Sequence, residues 1–273
     1  MYAASGDLRI FYDTFGFDDD PPLVLVCGLG SQVLHWREEF CFGLVDRGFF
    51  VVRVDNRDGG LSTKLPDDAE YTLSDMAADI VAVINALGVD RVHLVGQSLG
   101  GMIAQTVALE YPTRVQTLTS ISATTGNPDY GQPSDEALAA LATPAAPTRD
   151  EQIERDVAAR RVWASPSWFD EAEARAYYAE SYDRARSPTG SLRQFNAMVA
   201  SGSREDALRS LAVPTLVVHG TLDPLIAPDG GVRTAELVPH AELLMIEGMG
   251  HDLPVEAWQQ IISAVTAMAA RSA

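Results

Sequence analysis

Apolar positions along the chain follow two alternating periods, and the alternation predicts a fold class before any motif is read. Residues 8–15 alternate apolar and polar like a half-exposed strand, whereas 23–26 and 49–54 are short, β-branched, nearly unbroken apolar runs suited to a sheet covered on both faces. Between those runs, residues 34–44 carry helical spacing. After them Leu73, Met76, Ile80, Ile84 and Leu87 recur every three or four positions, with Thr72 or Ser74 placed to cap the helix and Gly88 to end it. Strand spacing returns at 91–95, helix at 99–110 and strand at 115–121. Such alternation predicts right-handed crossovers and a mostly parallel central sheet flanked by helices.

At Thr124 the rhythm breaks. A turn-rich stretch, residues 126–133, leads into segments that read as helix throughout: 135–141, 150–163, 169–186 and 192–200. The α/β rhythm resumes with a strand at 215–219, a helix near 232–238, a strand at 243–247 and a last helix over 255–270. Both ends of the helical block return to one sheet, so the expectation is an α/β core of residues 1–123 and 207–273 with residues 124–206 inserted as an all-helical lid.

Composition narrows the function classes. With 47% hydrophobic and 21% charged positions, 273 residues can close a sizeable core and are too apolar for disorder. The formal charge of −18 and the lack of a basic stripe argue against a nucleic-acid partner, and the acidic excess reads as solubility. Cys27 and Cys41 form neither a CxxC nor a Cys/His ligand spacing, so both read as small buried thiols and no metal is expected. No run of about 18 apolar residues and no basic leader segment is visible, which predicts a cytoplasmic protein with no membrane partner. Oligomeric state stays open.

The strand at 91–95 runs into Gly96-Gln97-Ser98-Leu99-Gly100 and then a helix, which is G-x-S-x-G in a strand–turn–helix context. A turn this tight exposes the Ser98 hydroxyl and aims the Leu99 amide at an oxyanion, and a Cβ at either flanking glycine would collide with neighbouring chain. A serine hydroxyl needs a base, and the base needs an orienting carboxylate. His251 lies in a glycine-rich loop after the strand at 243–247, while His93 is inside a strand, His219 ends one, His240 lies in a turn and His35 opens a helix. Asp223, followed by Pro224, stands in the loop after the strand at 215–219, with Asp229 as its rival. Gly28-Leu29-Gly30 follows the first buried strand and offers the Leu29 amide as a second oxyanion donor; it lacks the third glycine of a dinucleotide fingerprint.

These features, with Asp55-Asn56-Arg57-Asp58-Gly59-Gly60 and the segment from Gly248 to Pro254, resemble the α/β-hydrolase superfamily over essentially the whole chain. Within it the sequence is similar to the aclacinomycin methylesterase type and, less closely, to the β-ketoadipate enol-lactone hydrolases. The resemblance implies cofactor-free hydrolysis of a small-molecule carboxylic ester, methyl esters among them, or of a lactone. Cys27 departs from the family's usual His-Gly at the oxyanion turn. Ser98 excludes the aspartate nucleophile of dehalogenases and epoxide hydrolases. Arg57 is read as a loop staple, not as half of a catalytic pair with Asp58. His35, Trp36, Trp163 and Tyr178 are candidate substrate contacts. The alternatives carried forward are a carbon–carbon bond hydrolase and a non-catalytic ligand-binding protein of the same fold.

Overall fold

The computed structural model describes residues 1–187 and 189–271. Eight strands, β1 (Tyr2–Ser5), β2 (Leu8–Phe15), β3 (Pro22–Val26), β4 (Phe50–Val54), β5 (Val92–Gln97), β6 (Val115–Ile121), β7 (Thr215–Gly220) and β8 (Glu242–Ile246), form one sheet. Their order is β1-β2-β4-β3-β5-β6-β7-β8, with β1, β2 and β4 paired antiparallel and every later pairing parallel. This is an α/β-hydrolase fold.

Apolar side chains on both faces explain the unbroken central runs. Val24, Val26, Val52 and Val54 pack toward α2 (Leu73–Ala86) and α3 (Leu99–Glu110), while Leu23, Leu25 and Val51 pack toward α1 (Glu38–Val45) and α10 (Val255–Ala270). Thr72 caps α2 in a full capping box with Asp75, and Gly88 ends it at φ +71°.

Three details depart from the sequence reading. The segment at 2–5 is a strand only because it pairs with β2 across a two-residue turn at Gly6 and Asp7. Helical spacing at 34–44 resolves into a 3₁₀ turn, Val33–His35, and a separate α1, because Arg53 Nη1 donates to the Trp36 carbonyl at 2.6 Å and Asp55 Oδ1 accepts from Val33 N at 2.7 Å. A single helical turn, α8 (Glu205–Leu208), also went unpredicted, and the helix read near 232–238 is α9 (Pro228–Leu237).

Between β6 and β7 stand α4 (Asp135–Leu141), α5 (Arg149–Trp163), α6 (Glu171–Arg184) and α7 (Gly190–Ser201). Ser134, Thr148 and Asp170 cap the first three through side-chain oxygens, and acidic residues fill their first turns. The insertion's own apolar cluster is small: Ile153, Val157 and Ala174, with Phe169, Tyr178 and Ala179 against it. It attaches to the core through apolar contacts of Ala197, Met198 and Trp168 and through hydrogen bonds. At its root Arg204 donates from Nη2 to Thr124 O (2.7 Å), from its amide to Thr125 O (2.9 Å) and from Nε to Gln105 Oε1 (3.1 Å). Among the described residues, no helix is long and apolar enough to cross a membrane.

His93, inside β5, is buried and bonded to Thr117 Oγ1 at 2.8 Å. Burial, helped by Arg91, lowers it from the ordinary 6.5 to about 4. The folded state therefore favours the neutral ring. Between pH 6.5 and 4 the unfolded chain takes up a proton that the fold refuses, and stability falls with falling pH, by up to about 3 kcal/mol from this group. Urea unfolding at pH 7 and pH 4.5 should show a smaller loss for His93→Asn than for the wild type; equal losses refute the assignment.

Candidate active site

The junction of β5 and α3 places Ser98 at φ +56°, ψ −123°, a backbone conformation costing a non-glycine residue about 1–3 kcal/mol. Close packing enforces it. A Cβ on Gly96 would stand 2.0 Å from Gly100 O, and one on Gly100 would stand 2.2 Å from Val26 O, so the elbow is pressed against itself and against the end of β3. Ser98 N donates to Ile121 O at 2.8 Å, which ties the elbow to β6.

Two loops bring their side chains to this point. His251 Nε2 lies 3.0 Å from Ser98 Oγ, and His251 Nδ1 lies 2.7 Å from Asp223 Oδ2. The other Asp223 oxygen accepts from Leu225 N and Ile226 N, both at 2.9 Å, in the turn that Pro224 shapes. Burial alone would raise the Asp223 carboxyl, but His251 and then His219 outweigh it and hold the group well below the usual carboxylate range. His219 Nε2 donates to Ile226 O at 2.9 Å and passes 3.5 Å from Asp223 Oδ2.

The main chain of His251 is held on both sides. Its N–H donates to Trp163 O at 2.7 Å, and its carbonyl accepts from Gln97 Nε2 at 2.9 Å. Gln97 Oε1 accepts in turn from His35 Nε2. Next to it, Ser165 Oγ accepts from Gly250 N (2.9 Å) and donates to Asp252 Oδ1 (2.6 Å). The end of α5 is thus fastened to the His251 loop.

Residues Gly28 to Ser31 form a turn closed by Ser31 N donating to Gly28 O at 3.2 Å, with Gly30 at φ +64°. A Cβ on Gly28 would touch Ser98 Cβ at 3.4 Å, so this turn lies against the elbow. Where the family pattern has histidine, the Cys27 side chain is fully buried and its carbonyl accepts from Asn56 Nδ2 at 2.7 Å, which holds the turn through its backbone. Among the described residues, the amides of Leu29 and Leu99 donate to no other group.

The cleft of about 550 Å³ between Gly88 and Arg114 opens at the amino-terminal ends of β5 and β6, the far edge from Ser98, and Arg114 is already spent on Asp90 O, Val89 O and Asn85 Oδ1. Among the described residues, no group of three or more His, Cys, Asp and Glu side chains could hold a metal ion.

Residues 21–257 match the family model for the α/β-hydrolase fold. The chain belongs to that family. Rhodomycin D methylesterase DnrP of Streptomyces peucetius is 28% identical to it across 96% of this chain and 95% of its own length. 3-Oxoadipate enol-lactonase 2 of Acinetobacter baylyi is 25% identical across 97% and 94%. Among solved structures the esterase RhEst1 from Rhodococcus sp. ECU1013 superimposes with a TM-score of 0.87 at 24% identity, covering 100% of this chain and 99% of that one, a likeness of fold.

The remaining sequence candidates of this α/β hydrolase separate. Asp229 Oδ1 accepts from Gly131 N, while His251 Nδ1 meets Asp223 instead. Arg57 makes a two-point pair with Asp79 on α2, while Asp58 is engaged by Arg193 and the Tyr71 hydroxyl. Trp36, expected as a substrate contact, is fully buried against Phe40 in the layer with α10; its bulk fills core instead. Tyr178 packs on the insertion's apolar cluster and edge-on to Tyr177. His35 is committed to Gln97 and is lowered by burial to about 4, so it is a neutral donor near pH 7. Trp163 stands beside His251 through its carbonyl. Sequence reasoning missed Gln97, Ser165 and Asp252; the only available signal was that two of them adjoin Ser98 and His251.

Proposed function

We propose that this hydrolase cleaves small-molecule carboxylic esters through a covalent acyl-enzyme on Ser98. The observation that carries the reading is the continuous hydrogen-bonded line from Ser98 Oγ through His251 to Asp223, at 3.0 and 2.7 Å. His251 Nε2 accepts the serine proton as Oγ attacks the acyl carbon, returns it to the departing alcohol, then accepts a proton from the attacking water and passes it to Ser98 Oγ as the acid leaves. Asp223 keeps the other ring nitrogen protonated and stabilises the imidazolium. The free amides of Leu29 and Leu99 bind the oxyanion, each worth about 10²–10³ in rate. Residues 124–206 act as a cap over the strand ends, and no step calls for a cofactor.

Likeness to a methylesterase across nearly the full chain favours an ester, methyl esters included, and likeness to an enol-lactonase makes a lactone the second reading. A panel of p-nitrophenyl esters of increasing chain length, methyl esters and lactones separates the two. A fluorophosphonate should label the protein once, at Ser98 by peptide mass spectrometry. Labelling at another residue defeats the proposal.

A further inference from the structure

One helical turn of the cap is fused to two loops of the core. A Cβ on Gly190 would stand 2.4 Å from Asp58 O, and a Cβ on Gly30 would stand 2.6 Å from Ser191 Oγ, so α7 touches both the turn after β3 and the loop after β4. Arg193 grips Asp58 at two points, 2.7 and 3.0 Å. Beside it Gln194 is fully buried, and both ends of its amide are used. Its Oε1 accepts from Gly30 N at 2.8 Å, and its Nε2 donates to Arg57 O at 2.8 Å.

Gly30 N–H belongs to the central peptide of the Gly28-to-Ser31 turn. The Gly28 carbonyl and the Leu29 amide share the peptide before it, so the Gly28–Ser31 hydrogen bond orients the Leu29 N–H within the turn but does not place the turn against the elbow. Beyond Asn56 on the Cys27 carbonyl, what places the turn is the acceptor opposite Gly30 N–H, and that acceptor comes from the cap, 164 residues away in sequence. The Leu29 amide lies on the adjoining peptide of the same turn.

We propose that Gln194 is a positioning residue of the reaction: by holding Gly30 N–H and the Arg57 carbonyl together, it locks the turn that carries the Leu29 amide, so the oxyanion site is complete only with α7 seated. This rests on the reading of Leu29 as an oxyanion donor. A misplacement of this kind costs rate and not substrate affinity, since the oxyanion exists only once the acyl carbon is tetrahedral.

Gln194→Met keeps length and bulk and removes both hydrogen bonds. With p-nitrophenyl butyrate its kcat should fall by about tenfold to a hundredfold while KM moves less than about threefold. Phenylboronic acid, whose tetrahedral adduct on Ser98 mimics the oxyanion, should lose affinity in step with kcat, and the Gly30 amide should exchange faster with deuterium. Gln194→Glu, which keeps an oxygen for Gly30 N–H and offers a donor to the Arg57 carbonyl only when protonated, should recover part of the kcat lost in Gln194→Met. Gln194→Asn, too short to bridge, is read in the same way if the Met variant does not fold. Arg193→Met is the structural control: a lower Tm with kcat kept in the folded protein.

Unchanged kcat and boronate affinity in a folded Gln194→Met overturn the proposal, as does a fall shared equally by Arg193→Met. If instead the wild type neither binds the boronate nor takes fluorophosphonate at Ser98, the underlying reading has failed, and this inference with it.

Discussion

Ser98→Ala is expected to lower kcat for ester hydrolysis by about 10⁴- to 10⁶-fold and to leave the folded protein intact. In the proposed mechanism the hydroxyl carries the new bond in the first step, so no neighbouring group would substitute for it, and the residual rate would come from the proposed oxyanion amides acting on water. Stability should hardly move, because the elbow is maintained by Gly96 and Gly100 packing and by the bond from residue 98 N to Ile121 O, none of which uses the side-chain oxygen. Ser98→Gly should fold at least as stably as the wild type, since φ +56° is strained for serine and open to glycine. Ester turnover by Ser98→Ala within about tenfold of wild type would show that another group is the nucleophile.

Asp223→Asn is expected to cost about 10⁴-fold in kcat through the wrong histidine tautomer. The surroundings determine how the new amide sits. Leu225 N–H and Ile226 N–H both point at Oδ1, so the asparagine oxygen stays with these donors and its NH₂ faces His251 Nδ1. Nδ1 must then accept, Nε2 must carry the proton, and the nitrogen 3.0 Å from Ser98 Oγ can no longer act as a base. Stopped assays against p-nitrophenyl butyrate, with thermal melts to confirm folding, measure this. A loss under about tenfold would remove Asp223 from the proposed mechanism and point to a different acid.

Much of this was legible from local sequence. The spans of β2, α3, β6, α4 and α10 follow the apolar periods, since side-chain spacing within one element decides which face is buried. The glycines around Ser98 could be read because tight turns leave a residue-type signature, and Asp223 and His251 stood out as candidates in the loops after β7 and β8. The strand β1 left little: Tyr2-Ala3-Ala4-Ser5 has weak strand character and needs β2 as its partner. Trp36 misled for a related reason, since an aromatic after a functional turn reads the same whether it faces a substrate or Phe40.

By itself the sequence determined the α/β alternation, the helical block within it, and the nucleophile motif with its candidate partners. Each depends on interactions among residues a few positions apart. Only the tertiary structure decided that α5 fastens the His251 loop through Trp163 and Ser165, and that α7 holds the Gly30 turn through Gln194. A buried glutamine in a helix carries no mark of its partner, because that partner depends on how the helix crosses the sheet ends, and such crossings are set by the packing of whole faces.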